Sequence, residues 1–165
     1  MKARSVLDDC IFAKGKLAKS IEDKNFQQTR IDWITCLSLL RAVGHVLKNV
    51  DSKEWSKESK QKLDERWNEW KKEPLFSEFI VKERNAILKE YDFTIKESKK
   101  EETCYVVTTS GDRIVTKSGD AIVGTVLIRE LEKIEGFRKG QSPLEILQSA
   151  VDWWEKRLND LEEDK

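Results

Sequence analysis

From Phe26 to Val50 the chain reads FQQTRIDWITCLSLLRAVGHVLKNV, and this stretch constrains the fold more than any other. Set out at about 100° per residue, Cys36, Leu37, Leu39, Leu40, Val43, Val46 and Leu47 occupy almost the whole circumference of a helix. A helix that is apolar nearly all round has to be surrounded, so the rest of the chain must supply its neighbours. One stripe breaks the pattern: Arg30, Ser38, Arg41, His45 and Lys48. Arg41 and His45 lie four residues apart, which stacks their side chains along that stripe.

The neighbours are legible as amphipathic stretches. Residues 3–22 carry Val6, Leu7, Cys10, Ile11, Leu17 and Ile21 on one side. A third helix is expected from Asp51 or Ser52 through Lys72, docking by a narrow stripe of Leu63, Trp67 and Trp70 beneath a solvated face of paired Lys and Glu. Pro74 suits the first turn of a fourth helix reaching Tyr91. Ser142-Pro143 opens a last helix, about 144–161, whose broad apolar face includes Trp153 and Trp154 as core and rim anchors.

Between the fourth and last helices the period changes. Residues 96–102, KESKKEE, read as a charged linker. Then Val107-Thr-Thr-Ser-Gly-Asp-Arg-Ile114 is echoed by Val115-Thr-Lys-Ser-Gly-Asp-Ala-Ile122. A Ser-Gly-Asp turn signal between β-branched residues, twice over, predicts a small three-stranded antiparallel meander. One Asp per loop is too few oxygen ligands for calcium. Residues 126–134 suit a strand or a helix. The fold class expected is mainly α: a bundle of about five helices with a small antiparallel β meander at about residues 103–127 as an appendage. We expect one domain, with a bundle over residues 3–95 completed by a helix over 143–162.

Composition narrows the function. Charged residues make up 38 %, but 31 basic and 31 acidic side chains cancel. The chain as a whole lacks the electrostatic footprint of a protein that coats nucleic acid, although a local basic patch stays open. No apolar run approaches the roughly 18–20 residues of a membrane span, and Asp8 and Asp9 sit where a signal peptide would be apolar. A cytoplasmic protein without membrane contact is expected. Cys10, Cys36 and Cys104 are odd in number and widely spaced, so they read as small buried apolar residues rather than disulfides or zinc ligands. The single histidine, His45, leaves no His-rich metal centre, and no cofactor is expected.

The fourth helix carries the opposite anomaly. Leu75, Phe76, Phe79, Ile80, Ala86, Ile87 and Tyr91 form its apolar face, with Glu83 in the middle, Glu90 on the same side and Arg84 at the border. An unpaired carboxylate in apolar surroundings costs several kcal/mol or takes up a proton. Arg41 and His45 are the natural partners for Glu83. Three arrangements fit: a structural ion-pair network or solvated stripe; a polar cleft in which His45 carries protons and Arg41 or Arg84 meets an anion; or a metal held by Glu83, Glu90 and His45.

Arg41-Ala-Val-Gly-His45, the run Pro74-Leu-Phe-Ser-Glu-Phe-Ile-Val-Lys-Glu83-Arg84-Asn85-Ala-Ile-Leu-Lys-Glu90-Tyr91 and the Trp153-Trp154 pair resemble a group of bacterial helical proteins without an assigned activity. More distantly the chain is similar to the HEPN superfamily of small helical bundles, in which an Arg and a His with four to six residues between them lie at the active site. Here three residues separate Arg41 from His45. The resemblance covers about the first 95 residues and the last helix. It implies RNA binding or metal-independent RNA cleavage, with Arg41, His45 and Glu83 catalytic, Arg84, Glu90 and Lys48 binding, and a homodimer as the working form. A second expectation is a non-enzymatic interaction or immunity-type module with a protein partner, suggested by the Trp and paired charges of the third helix and by the β appendage as a pairing edge.

Overall fold

In the computed structural model, which describes residues 1–163, the expected helices are present: α1 (Lys2–Glu22), α2 (Phe26–Asn49), α3 (Lys57–Trp70), α4 (Arg84–Glu90) and α5 (Pro143–Glu163). Strands β1 (Ile95–Tyr105) and β2 (Val123–Lys133) lie between α4 and α5. The described chain divides into two compact units, the second being Glu97–Glu130.

In the first unit α2 is the central helix that its all-round apolarity demands. Trp33, Cys36, Leu37, Leu40, Val43 and Leu47 are fully buried. α1 runs antiparallel to it, with Ser20 Oγ beside Thr29 Oγ1 at 3.2 Å and Cys10 Sγ donating to the Cys36 carbonyl at 3.6 Å. The short turn between them ends at Asn25, whose side chain caps α2 by accepting from Gln28 N. Trp67, Trp70, Phe76, Trp153 and Trp154 form one aromatic cluster, mostly edge-to-face, with centroids 4.8 Å apart for the adjacent tryptophans and 5.5 Å for Trp67 and Phe76. Trp154 is fully buried and Trp153 nearly so, as core and rim anchors should be.

Two helices depart from their expected form. The third does not begin at Asp51 or Ser52. A 3₁₀ turn spans Asp51–Glu54, Trp55 is extended, and α3 restarts at Lys57 with Ser56 as its cap. The cause is a prior use of the Asp51 carboxylate, which accepts from the backbone N–H groups of Lys2 and Ala3, at 2.9 and 2.8 Å, and so caps α1. The fourth stretch is not a single α-helix either. Leu75–Glu83 is π-helical and passes into α4 at Arg84. Tyr91, at φ 55°, closes α4, its backbone N–H donating to the Ile87 carbonyl.

The charged run 96–102 is strand rather than linker. It belongs to β1, which pairs with β2, and residues 126–133, whose pattern suits either form, are strand as well. The alternating charges of 96–102 hide the strand, because neither face is apolar. Lys100 and Glu130 pair across the ladder at 3.1 Å. The repeat between the strands makes the expected turns. Bridges link Val107 with Arg113 and Val115 with Ala121. In each loop a Thr hydroxyl accepts from the Asp N–H (Asp112 N to Thr108, Asp120 N to Thr116, both 3.1 Å), while Gly111 and Gly119 take φ 91°. Three backbone bonds join equivalent positions in a ring: Val106 N to Ile122 O, Ile122 N to Ile114 O, and Ile114 N to Val106 O.

Among the described residues of this second unit none is buried. Cys104 is accordingly exposed, unlike Cys10 and Cys36, and the expectation that all three cysteines are buried fails there. No helix among the described residues is long and apolar enough to cross a membrane.

Candidate functional site

Glu83 is the last residue of the π-helical segment and is 3 % exposed, so the sequence pattern located a buried carboxylate correctly. Its partner is not the one expected. Glu83 Oε1 contacts Lys133 Nζ, which is fully buried, and Glu83 Oε2 accepts from Thr94 Oγ1 at 2.9 Å. The same ammonium donates to the Glu135 carbonyl, and Gly140 N donates to the Lys133 carbonyl at 2.8 Å. Gly136, at φ 77°, closes the site: a Cβ there would stand 3.3 Å from both Glu83 Oε1 and Lys133 Nζ. Burial pushes the Glu83 carboxyl above its ordinary range, and Lys133 and Thr94 only partly offset this. Sequence reasoning misses Lys133 because a lysine ending a charged strand gives no sign of being buried.

Arg41 and His45 therefore do not neutralise Glu83. Arg41 instead meets Arg84. With Ser38, Ala42 and His45 they line one pocket of about 290 Å³ between α2 and the start of α4. Arg41 Nη1 and Arg84 Nε are buried and lack hydrogen-bond partners. Arg84 Nη1 donates to Asn85 Oδ1 at 3.0 Å, and the Arg41 guanidinium lies 5.7 Å from the Phe76 ring centroid. Burial, and after it the neighbouring Arg84 charge, lower the Arg41 pKa. Among the described residues no carboxylate lines the pocket. Like charges held together in a half-closed site, with donors unused, make an arrangement suited to an anion.

His45 is exposed at the rim. Asn49 Nδ2 sits 3.2 Å from its Nδ1 and donates to its carbonyl at 3.0 Å. An amide nitrogen only donates, so Nδ1 accepts and the neutral ring carries its proton on Nε2. Two further expected residues lie outside the pocket lining. Lys48 pairs with Asp64 at 3.0 Å and packs 5.5 Å from the Trp67 centroid. Glu90 is exposed rather than inward-facing. The two carboxylates and His45 do not form a metal site, and no group of three His, Cys, Asp or Glu among the described residues does.

Fold and site together define a helical bundle with a β-ribbon insertion and a diarginine pocket on its central helix. Comparison with family models, curated proteins and solved structures finds no match.

Proposed function

We propose that this chain binds RNA by a backbone phosphate seated between Arg41 and Arg84. The observation that carries the reading is the pair of guanidinium groups sharing one pocket with buried donors unused and no acid in its described lining. Hydrogen bonds to charged groups contribute about 1.5–3 kcal/mol each, roughly ten- to a hundredfold in affinity. Zero net charge over the whole chain does not oppose this, because the positive potential is local. Ser38 supplies a further hydroxyl. His45 at the rim is the group available to take a proton from a ribose 2′-hydroxyl, through Nδ1 once that hydroxyl displaces the 3.2 Å Asn49 contact, as the oxygen attacks phosphorus, while the departing 5′-oxygen takes a proton from water. The guanidinium pair would stabilise the extra charge of the pentacoordinate state.

The test is binding of a single-stranded RNA oligonucleotide at low and high salt. Arg41→Ala and Arg84→Ala should each weaken binding at least tenfold, and His45→Ala should keep binding but lose any cleavage that survives EDTA. A wild-type chain with no RNA association at low salt, where phosphate contacts are strongest, overturns the proposal. The alternative, a protein-interaction module, draws on the exposed Tyr105, Val107, Val115, Val123, Val126 and Leu127 of the second unit. It predicts stable co-purification of one partner, lost on replacing these residues by Ser or Thr.

A further inference from the structure

We propose that the buried Glu83–Lys133 pair is a positioning device for Arg84, holding that guanidinium in the pocket through the π-helical turn that ends at Glu83. The inference rests on reading the pocket as an anion site, and it names what sets that site's geometry. Glu83 and Arg84 are consecutive, one closing the π-helical segment and the other opening α4. Their side chains diverge by about 100°, so fixing one fixes the direction of the other.

A π-helical segment carries a wider turn than an α-helix and is rare without something to hold it. Relaxing this one to α geometry would shift one flank by a residue. Glu83 could then keep Lys133, or Arg84 could keep its place beside Arg41, but not both.

Repulsion makes the need specific. Arg84 stands near enough to Arg41 to lower the latter's affinity for its proton, and no carboxylate in the described pocket lining offsets it. The hydrogen bond from Arg84 to Asn85 is to the next residue along the chain and anchors it to nothing beyond its own helix. One residue back, however, Glu83 is gripped by Lys133 and Thr94, and Lys133 is held in turn by the Glu135 carbonyl. Gly136, having no Cβ, lets the backbone pass close beside the pair, where a side chain would stand 3.3 Å from both charged atoms. Lys133 has no solvent to retreat to, being fully buried. The grip on Glu83 is thus the strongest restraint adjacent to Arg84, and Glu83 acts through Arg84 rather than on the ligand.

The experiment compares wild type, the double variant Glu83→Met/Lys133→Met and the milder Thr94→Val. Three quantities are read on each: urea unfolding, the Arg84 Nε–Hε resonance without ligand, and the Kd for inorganic phosphate. Replacing a buried pair by apolar side chains of similar volume should keep the fold stable. The double variant is expected to unfold near the wild-type midpoint, yet show a displaced Arg84 resonance and a Kd raised at least tenfold. Thr94→Val, which removes one hydrogen bond, should displace the resonance less and raise Kd a few-fold, and it decides the matter if the double variant does not fold. An Arg84 resonance and Kd unchanged in a folded variant overturn the proposal. If wild type itself does not bind phosphate, the anion reading falls, while the ligand-free Arg84 resonance still decides whether the pair positions that side chain.

Discussion

Gly44 lies on the central helix where the indoles of Trp67 and Trp154 close against it. A Cβ there would stand 2.6 Å from one ring and 2.9 Å from the other. Gly44→Ala gains helix propensity but collides with two large rings locked among their neighbours, so it should destabilise the chain by about 1–3 kcal/mol in urea unfolding. Glu83 and Lys133 give the opposite contrast. Removing the cation, as in Lys133→Met, strands the buried carboxylate and should cost about 3–5 kcal/mol at neutral pH, whereas the double Met variant should be near neutral. The pH dependence has a definite sign. Burial raises the folded-state Glu83 pKa above its ordinary 4.5, so the folded chain holds that proton more tightly than the unfolded one. Glu83 therefore favours folding most below about pH 4.5 and loses that contribution as pH rises through the higher folded value. Unfolding measured from about pH 4 to 8 should show this fall in wild type and a flatter curve in Glu83→Gln. An ionised Glu83 is costly to bury, and costlier still without Lys133 beside it.

At the level of elements, local pattern is a good guide wherever one face of a helix settles the matter. α1, α2 and α5 fall within a residue or two of their expected bounds because each carries a continuous apolar stripe. It fails where a distant group makes a prior claim. Asp51 looks like the first residue of α3, but its carboxylate serves the free N–H groups at the start of α1. Asp51→Ala should cost about 0.5–2 kcal/mol, with protection from hydrogen exchange falling first in the initial turn of α1. The π-helical segment is equally hard to read, since its apolar residues also satisfy an α-helical period. Of the candidate site, the cationic stripe of α2 is legible in the sequence, and so is the buried acid. Their pairing is not, because Glu83 is taken instead by a lysine on β2 that lies 50 residues away in sequence and looks like a solvated strand end.

For the molecule as a whole, the core belongs to one unit. Every fully buried large side chain among the described residues lies outside 97–130. Ile134 N donates to the Thr94 carbonyl at 2.9 Å, so the two chain ends flanking the second unit already lie side by side. Replacing 97–130 by a short turn should therefore leave helical content and unfolding midpoint close to wild type, as read by circular dichroism. The pocket residues should keep their phosphate affinity in that deletion, separating the RNA reading from the interaction-module reading, which loses its surface. The excised segment has its own arithmetic. Because Val106, Ile114 and Ile122 bond head to tail in a closed triangle, each eight-residue copy supplies one side of a figure that already has three. An open ladder can be lengthened by duplication, but here a further copy finds every donor and acceptor of the ring already engaged. A change in the number of copies has to break and re-form the bonds that close this triangle.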